Sequence, residues 1–430
     1  MPDAYKLKNF FEQGKYEQIA EIWNDADEVE RFSRWDFLYC MKSLYELKRY
    51  SDCLEVYRKC HKKYPDFSNL DGKMCWAVYH VKVKDFDFSQ GDKQALLKQI
   101  DYVFKHSEDG RCSPRWFMAK FVAKAIDDGQ LGAERDYNLA LHYLDKVNPD
   151  TLSDKERRMP DASGKNRCLS SDRESWFSYK TKFLLKQKEY EACIDCCDRA
   201  LQSIDRFHSN NDCWFVYRKA KCLQAVNRPE DAKALIEGIL EKRFKHWYLF
   251  QLMFEFEAAA GNESQALKYA GECALSDFEH KMRVSFYEDL ASYLEAQENI
   301  EISMLLRKLV LLLRAENQWK ERSHHTQWQL SDEIAVLDKQ AALKRLNPIW
   351  HQWRDKDKVF LSGTINKIFS DGKSGFIFAD NGGSYYFNVR DFRSKKHKIY
   401  LNMRVRFTLE ERLDKSKNEM KLNAVEINAL

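Results

Sequence analysis

Residues 363–392, GTINKIFSDGKSGFIFADNGGSYYFNVRDF, interleave aromatic and basic side chains at strand spacing. Phe376 and Phe378 lie two apart, as do Tyr386 and Asn388. Residues two apart in an extended chain share a face. If the faces of the two runs coincide, Phe376, Phe378 and Tyr386 make one aromatic surface, and Phe369 can add a fourth ring. Lys367, Lys373 and Arg390 would flank it. Rings of this kind stack on nucleobases at about 1–3 kcal/mol per base with little demand on sequence, while cations meet phosphates. The chemistry expected is that of a sheet holding one nucleic-acid strand.

No other part of the chain offers comparable chemistry. It contains no GxxxxGK[ST], GxSxG or HExxH motif, and no carboxylate pair stands apart from solvated helix faces. The expectation is a protein without catalysis, cofactor, metal or small-molecule substrate. The 12 cysteines fall between Cys40 and Cys273 among helical residues, which suggests reduced, small apolar fillers. Cys193, Cys196 and Cys197 cluster, but have no second ligand pair or histidine at zinc spacing. His324–His325 reads as a polar helix surface.

The elements that must position the aromatic stretch begin at Val359, where helical periodicity gives way to strand-like alternation. VFLSGTINKIF, GFIFAD, SYYFNV, VRFTL and LNAVEI are five short strand candidates, and Asp380–Gly383 is a hairpin turn. Five short strands in about 70 residues suit a small closed barrel of the oligonucleotide-binding (OB) type. The segment resembles a cold-shock domain. Gly363 matches that family's opening glycine and Gly375-Phe376-Ile377 its Gly-Phe-Ile end. Tyr385-Tyr386-Phe387-Asn388 matches its second aromatic motif, and Leu401, Val405, Phe407, Ala424 and Val425 fit the closing strands. The resemblance implies single-stranded RNA or DNA across the sheet. It also marks departures: Lys367 stands at the family's stacking Trp, Ser374 at an aromatic, Asn388 at the histidine and Val389 at the aromatic after it. Affinity should be lower than for a full domain, with Phe369 as a partial replacement.

Ahead of this segment the sequence repeats a two-helix unit. CWFVYRKAKCLQAVNRPEDAKALIEGIL (213–240) and WYLFQLMFEFEAAAGNESQALKYAGECAL (247–275) each run from an aromatic-rich helix through a turn to a second helix opening on a small residue. Those residues, Ala232 and Ala266, are 34 apart. Looser copies fit around Ala20, around Tyr50, Cys53, Tyr57 and Cys60, around Tyr137, Ala140 and Leu144, and around Tyr190, Cys193, Cys197 and Ala200. Small residues let the paired helices approach, and aromatics fill the groove against the next pair. Over roughly residues 4–315 the array resembles tetratricopeptide-repeat (TPR) proteins in a degenerate form. The expected fold is multidomain: an all-α helical-repeat solenoid plus a small all-β five-stranded OB-type barrel. Its parts are helical repeats at 1–149, a polar loop at 150–174, a second block of repeats at 175–315, a connector helix at 316–357 and the barrel at 358–430. In the connector, SDEIAVLDKQAALKRL should form a helix that Pro348 ends or kinks, and Trp350 and Trp353 should dock the two parts.

The net charge of +4 is unevenly spread. Residues 358–430 hold 14 Lys and Arg against 8 Asp and Glu, a net +6, so the remainder is −2. That places attraction for phosphate in the tail. The N-terminal MPDAYKLKNFFEQGKYEQ lacks the apolar centre of a secretory signal, and the longest apolar run, Leu309–Leu313, is far too short for a bilayer. The expected protein is therefore a cytoplasmic adaptor with no membrane contact. Its barrel binds single-stranded RNA or DNA weakly, while the helical array recruits a protein partner or extends the binding surface. Arg157, Arg158, Lys165 and Arg167 of the polar loop are further phosphate candidates, although a solvated loop explains them as well. The alternative is a protein–protein scaffold whose barrel no longer binds nucleic acid. Domain pairing alone suggests a regulator in a bacterial stress or phage-defence locus.

Overall fold

The computed structural model describes residues 6–430 except 109, 111–112, 132–134, 161–163, 242–245, 321, 394–398 and 415–418. The chain divides into two units, Met1–Phe244 and Lys245–Leu430. Among the described residues no helix is long and apolar enough to cross a membrane.

The first unit is built from antiparallel helix pairs. Arg34–Glu46 packs on Tyr50–Lys63, Arg115–Asp127 on Tyr137–Asp145, Asp172–Lys186 on Tyr190–Ser203, and Asp212–Ala225 on Pro229–Glu241. The second unit opens with two more pairs, Trp247–Ala259 with Glu263–Ala274 and Val284–Ala296 with Ile300–Glu316. The turns share one geometry. Lys48, Gly129, Lys188, Asn227, Gly261 and Glu298 each adopt a left-handed conformation, with φ between 60° and 75°. The following N–H then returns to the preceding helix, Arg49 to the Leu44 carbonyl, Glu189 to Leu184, Arg228 to Leu223, Asn262 to Glu257 and Asn299 to Leu294. This six-to-one bond satisfies carbonyls that a helix end leaves unpaired.

The small residue in the first turn of each second helix is buried: Cys53, Ala140, Cys193, Ala232, Ala266 and Ser303. Three of these donate across the pair to a first-helix carbonyl. Cys53 Sγ lies 3.7 Å from the Met41 oxygen, Cys193 Sγ 3.3 Å from Thr181 and Ser303 Oγ 2.8 Å from Ala291. Cysteine therefore serves as an alanine-sized filler with a weak donor. The described cysteines are free thiols, and burial pushes Cys60 up to about 11 and Cys196 up to about 12. Cys168 differs by being exposed, and Cys112 lies outside the described residues.

Three local expectations need correction. The segment 150–174 is more than a loop: β1 (Arg157–Pro160) pairs antiparallel with β2 (Asn166–Leu169). Arg157 is engaged there with Asp172 at 3.4 Å. Secondly, the connector is a short turn of helix at Asp332–Ala335 followed by a separate helix, Lys339–Asp355, capped by Asp338. Pro348 sits inside that helix and does not end it. Ala342, Leu346, Trp350 and Arg354 recur every fourth residue and are all buried, and such a stripe outweighs the roughly 3 kcal/mol an internal proline costs. The stripe faces Glu263–Ala274, where a Cβ on Gly271 would sit 2.6 Å from the Trp350 carbonyl oxygen. Trp350 stacks on Tyr287 at 5.7 Å. Thirdly, His325 is no surface residue; it is buried in a 3₁₀ turn at Ser323–Gln327.

Five strands complete the second unit: β3 (Leu361–Ile368), β4 (Ser374–Ala379), β5 (Ser384–Asn388), β6 (Arg404–Asp414) and β7 (Glu419–Ala429). Their ladder order is β3-β4-β5-β7-β6, and β6 pairs back on β3, so the sheet closes into a barrel. Among the described strand pairs of the barrel, β5–β7 is the parallel one, with a further parallel bridge between Phe392 and Ile427. Ile365, Ile377, Phe387, Val405, Phe407, Ala424 and Ile427 fill the interior. Strands β6 and β7 run longer than their apolar alternation suggests, pairing out to Asp414 and Glu419. Charged residues such as Glu410, Glu411 and Arg412 hide the strand period there.

Candidate nucleic-acid interface

The register of β3, β4 and β5 decides whether the aromatic residues meet. Phe376 pairs directly with Tyr386, Ser374 with Asn388 and Phe378 with Ser384. On β3 the register shifts between Ile365 and Lys367, which sets Lys367 opposite Phe376. Such a bulge bends the strand and re-aims the residues after it. Gly375 is required beside it, since a Cβ there would run into the Lys367 carbonyl oxygen. Ile377 and Phe387 point into the barrel, so their neighbours Phe376 and Tyr386 point out.

Three rings come together on this outer face. Phe369 and Phe376 have centroids 5.8 Å apart, Phe376 and Tyr386 5.9 Å, and Phe369 and Tyr386 6.5 Å. All three are half-buried. The two shorter contacts are edge-to-face, a favourable arrangement for aromatic pairs. Phe378 lies opposite Thr364 and Ser384, is 49% exposed, and stands apart from the cluster.

Lys367 Nζ is 5.2 Å from the Phe369 centroid, so a cation accompanies the rings where the resembled family carries tryptophan. Lys373 and Arg390 are exposed and form no ion pair among the described residues. Asn388 has a positioning role. Its Oδ1 accepts the Arg390 N–H at 3.0 Å, and its own N–H donates to Asp391 at 3.2 Å. Arg412 of β6 holds both Asp391 carboxylate oxygens at 2.9 Å. Asn388 thus shapes the turn that presents Arg390.

Several tail residues with defined roles carry no clear signal in the sequence. Arg406 lies 4.1 Å over the Phe360 ring, and Arg404 holds Asp380 through two bonds of 2.7 and 2.8 Å. Their outward direction follows from alternation with the core residues Val405 and Phe407. Their partners do not, because these come from elsewhere in the chain. An ion network also fixes the barrel to the Lys339–Asp355 helix. Arg393 donates to both Asp355 oxygens at 2.9 Å and to Glu426 at 2.6 Å, and Lys358 reaches Glu426 at 2.8 Å. Burial disfavours charge on Asp355, but bonds from Arg354 and Arg393 outweigh it and hold the carboxyl well below its usual range.

Among the described residues, Glu288, His324 and His325 of the same unit form one group of potential metal ligands. Its bonding argues against a metal centre. His325 Nδ1 accepts the Arg322 N–H at 3.1 Å, leaving Nε2 to carry the proton and donate to Glu288 at 3.1 Å. Arg322 also bonds Glu288 at 2.7 Å, and Arg314 lies 3.7 Å from it. The carboxylate is neutralised by guanidinium groups, and both His325 nitrogens are in use.

No protein-family model matches the chain, and neither does any curated protein.

Proposed function

We propose that this protein is a cytoplasmic adaptor that binds single-stranded RNA or DNA on the outer face of β3–β5 and recruits a protein partner through its helix pairs. The observation that carries this reading is the register setting Phe376 beside Tyr386, with Phe369 at their edge and Lys367, Lys373 and Arg390 around them. In this reading the closed sheet is an OB-type barrel of the cold-shock kind, supported by its strand order and by Gly363 and Gly375 at the close approaches. The helix pairs are tetratricopeptide-like units, supported by their shared turn and small-residue contact. The protein works by holding its ligands, without chemical transformation.

Binding should be weak, because Lys367, Ser374, Asn388 and Val389 occupy positions where a full platform carries rings. The remaining rings and cations suit stacking plus phosphate attraction with little sequence preference. The test is fluorescence anisotropy of the full chain with labelled single-stranded oligonucleotides across a salt series. Binding that weakens with salt is expected. Its absence at low salt would overturn the proposal.

A second reading, a scaffold whose barrel carries no nucleic acid, is favoured by two observations: Asn388 is spent in the turn, and Phe376 packs edge-on against both Phe369 and Tyr386. Affinity purification with and without nuclease separates the two. Partners that survive nuclease and the Phe376→Ala, Tyr386→Ala double variant support the scaffold.

A further inference from the structure

A cluster of cations lies in the first unit, far from the basic tail in sequence. The helices Asp172–Lys186 and Asp212–Ala225 are first helices of successive pairs and pack on one another. They border a cavity of about 510 Å³. Lys182, Lys186 and Lys188 line it from one pair, and Arg218 and Lys221 from the other. Tyr190, Trp214 and Tyr217 supply rings, and no carboxylate is among the lining residues.

The spacing explains the convergence. Lys182 and Lys186 are one helical turn apart, and Trp214, Arg218 and Lys221 follow the i, i+4, i+7 stripe of the facing helix. Lys188 occupies the left-handed turn at φ 63°, so its backbone is fixed at the cavity's end. Trp214 is 39% exposed and meets Tyr217 edge-on at 5.8 Å. Lys221 Nζ is 5.4 Å from the Tyr217 ring. Two of the cations also serve the fold: Lys182 pairs with Asp127 at 2.6 Å, and Arg218 donates to Thr181 Oγ1 at 3.0 Å. Lys186 and Lys188 are exposed and form no ion pair among the described residues.

Lys186 and Lys188, which form no ion pair among the described residues, repel each other at this cavity, in a part of the chain whose balance outside the tail is −2. An anion relieves that repulsion. A run of Asp and Glu would use the amines but brings no aromatic ring to stack on an exposed indole. A nucleotide uses both, because its base has a π face and its phosphate a charge. The cavity also falls within the roughly 300–1,000 Å³ usual for small-ligand sites. We infer that this cavity holds one nucleotide unit of a single-stranded nucleic acid, with the base against Trp214 and the phosphate among Lys186, Lys188 and Lys221.

This site and the β3–β5 face belong to different units of the chain, and the test keeps the two separate. The full chain carrying Phe376→Ala and Tyr386→Ala is titrated with fluorescein-labelled oligouridine and oligothymidine at low salt, with labelled polyglutamate as the competing class. Salt-sensitive oligonucleotide binding persists. It falls about tenfold with Lys186→Glu plus Lys221→Glu and about tenfold with Trp214→Ala, and Trp214→Phe restores it. The relative affinity of the two oligomers distinguishes RNA from DNA as the source. Thermal melting establishes that each variant is folded. The exposed Lys186→Glu, Lys188→Glu pair, also placed in the otherwise unaltered chain, keeps the test decisive should Trp214→Ala unfold. Oligonucleotide affinity indifferent to the lysine changes overturns the inference. Polyglutamate binding that depends on the lysines but not on Trp214, with no oligonucleotide binding, overturns it in favour of an acidic protein surface. If the unaltered chain loses binding only through Phe376 and Tyr386, this site fails while the β3–β5 reading stands. If it loses binding only through the lysines, the reverse holds.

Discussion

At the residue scale, the proposed interface depends on a few side chains that cross-strand pairing sets side by side. Removing one ring from a stacking surface costs about 1–3 kcal/mol per base, so Phe376→Ala and Tyr386→Ala should each weaken oligonucleotide binding to that extent. Phe378→Ala should have a smaller effect, because that ring stands off the cluster. Anisotropy titrations of the folded variants measure this directly. Gly375→Ala acts differently. Its new methyl would meet the Lys367 carbonyl at the bulge, so it should lower stability by about 1–3 kcal/mol through overpacking. The expected reading is a reduced melting temperature. Strand alternation makes the outward faces of Phe376 and of Tyr386 legible within each run of the sequence, but that the two faces coincide is set by the β4–β5 register. The role of Asn388 is not legible there, because it depends on Asp391 being clamped by Arg412 from a strand far along the chain.

At the element scale, the helix pairs are readable from their small-residue positions and aromatic first helices, yet the repeat looks degenerate. The turns show why. Their left-handed position holds glycine at Gly129 and Gly261 but lysine, asparagine or glutamate at Lys48, Lys188, Asn227 and Glu298. The backbone geometry persists where the residue type does not. A side chain in that conformation is strained, while glycine costs extra entropy in the unfolded chain. Lys48→Gly and Glu298→Gly, both at exposed turns, should therefore stabilise by about 0.5–1 kcal/mol, measurable by urea denaturation. The helix through Pro348 is hidden in the sequence for a related reason: its buried stripe finds its value only against Gly271 on another helix. The same packing creates a pH dependence. Burial, with Arg283 and Lys339 nearby, pushes His280 down to about 4 from its ordinary 6.5. Its Nδ1 lies 2.7 Å from the Tyr287 hydroxyl and 3.1 Å from Arg283. Between those pH values the unfolded chain binds the proton that the folded one refuses, so stability declines as pH falls from 6.5 towards 4. His280→Gln should flatten that part of the stability profile. Asp355 and Glu426, depressed below 3.8 and 4.5, add their own loss from about pH 5 downward.

At the scale of the whole molecule, the uneven charge is plain from composition, but its usable part is not. Of the tail cations, Lys358, Arg393, Arg404 and Arg412 are engaged with carboxylates, and their charge is largely neutralised in place. Lys395, Lys396, Lys398, Lys415 and Lys417 lie outside the described residues. Arg406 lies over the Phe360 ring and Lys421 is on β7, which leaves Lys367, Lys373 and Arg390 on or beside the ring surface. A tally of charge cannot separate these groups, since pairing is fixed by the fold. The separation has a thermodynamic signature. Each phosphate neutralised on a single strand contributes about −0.7 to the slope of log affinity against log salt. Replacing Lys367, Lys373 and Arg390 together with glutamine should therefore make the slope of the full chain shallower by about 2, while truncating rings should lower affinity with little change in slope. Arg404→Gln should leave the slope nearly unchanged, because Asp380 already holds that charge. Titration of these variants from low to high salt reads the partition. Equal slopes for the triple variant and the unaltered chain would place phosphate contacts away from this face, and a drop for Arg404→Gln matching one of the three would show that the Asp380 pair opens when nucleic acid binds.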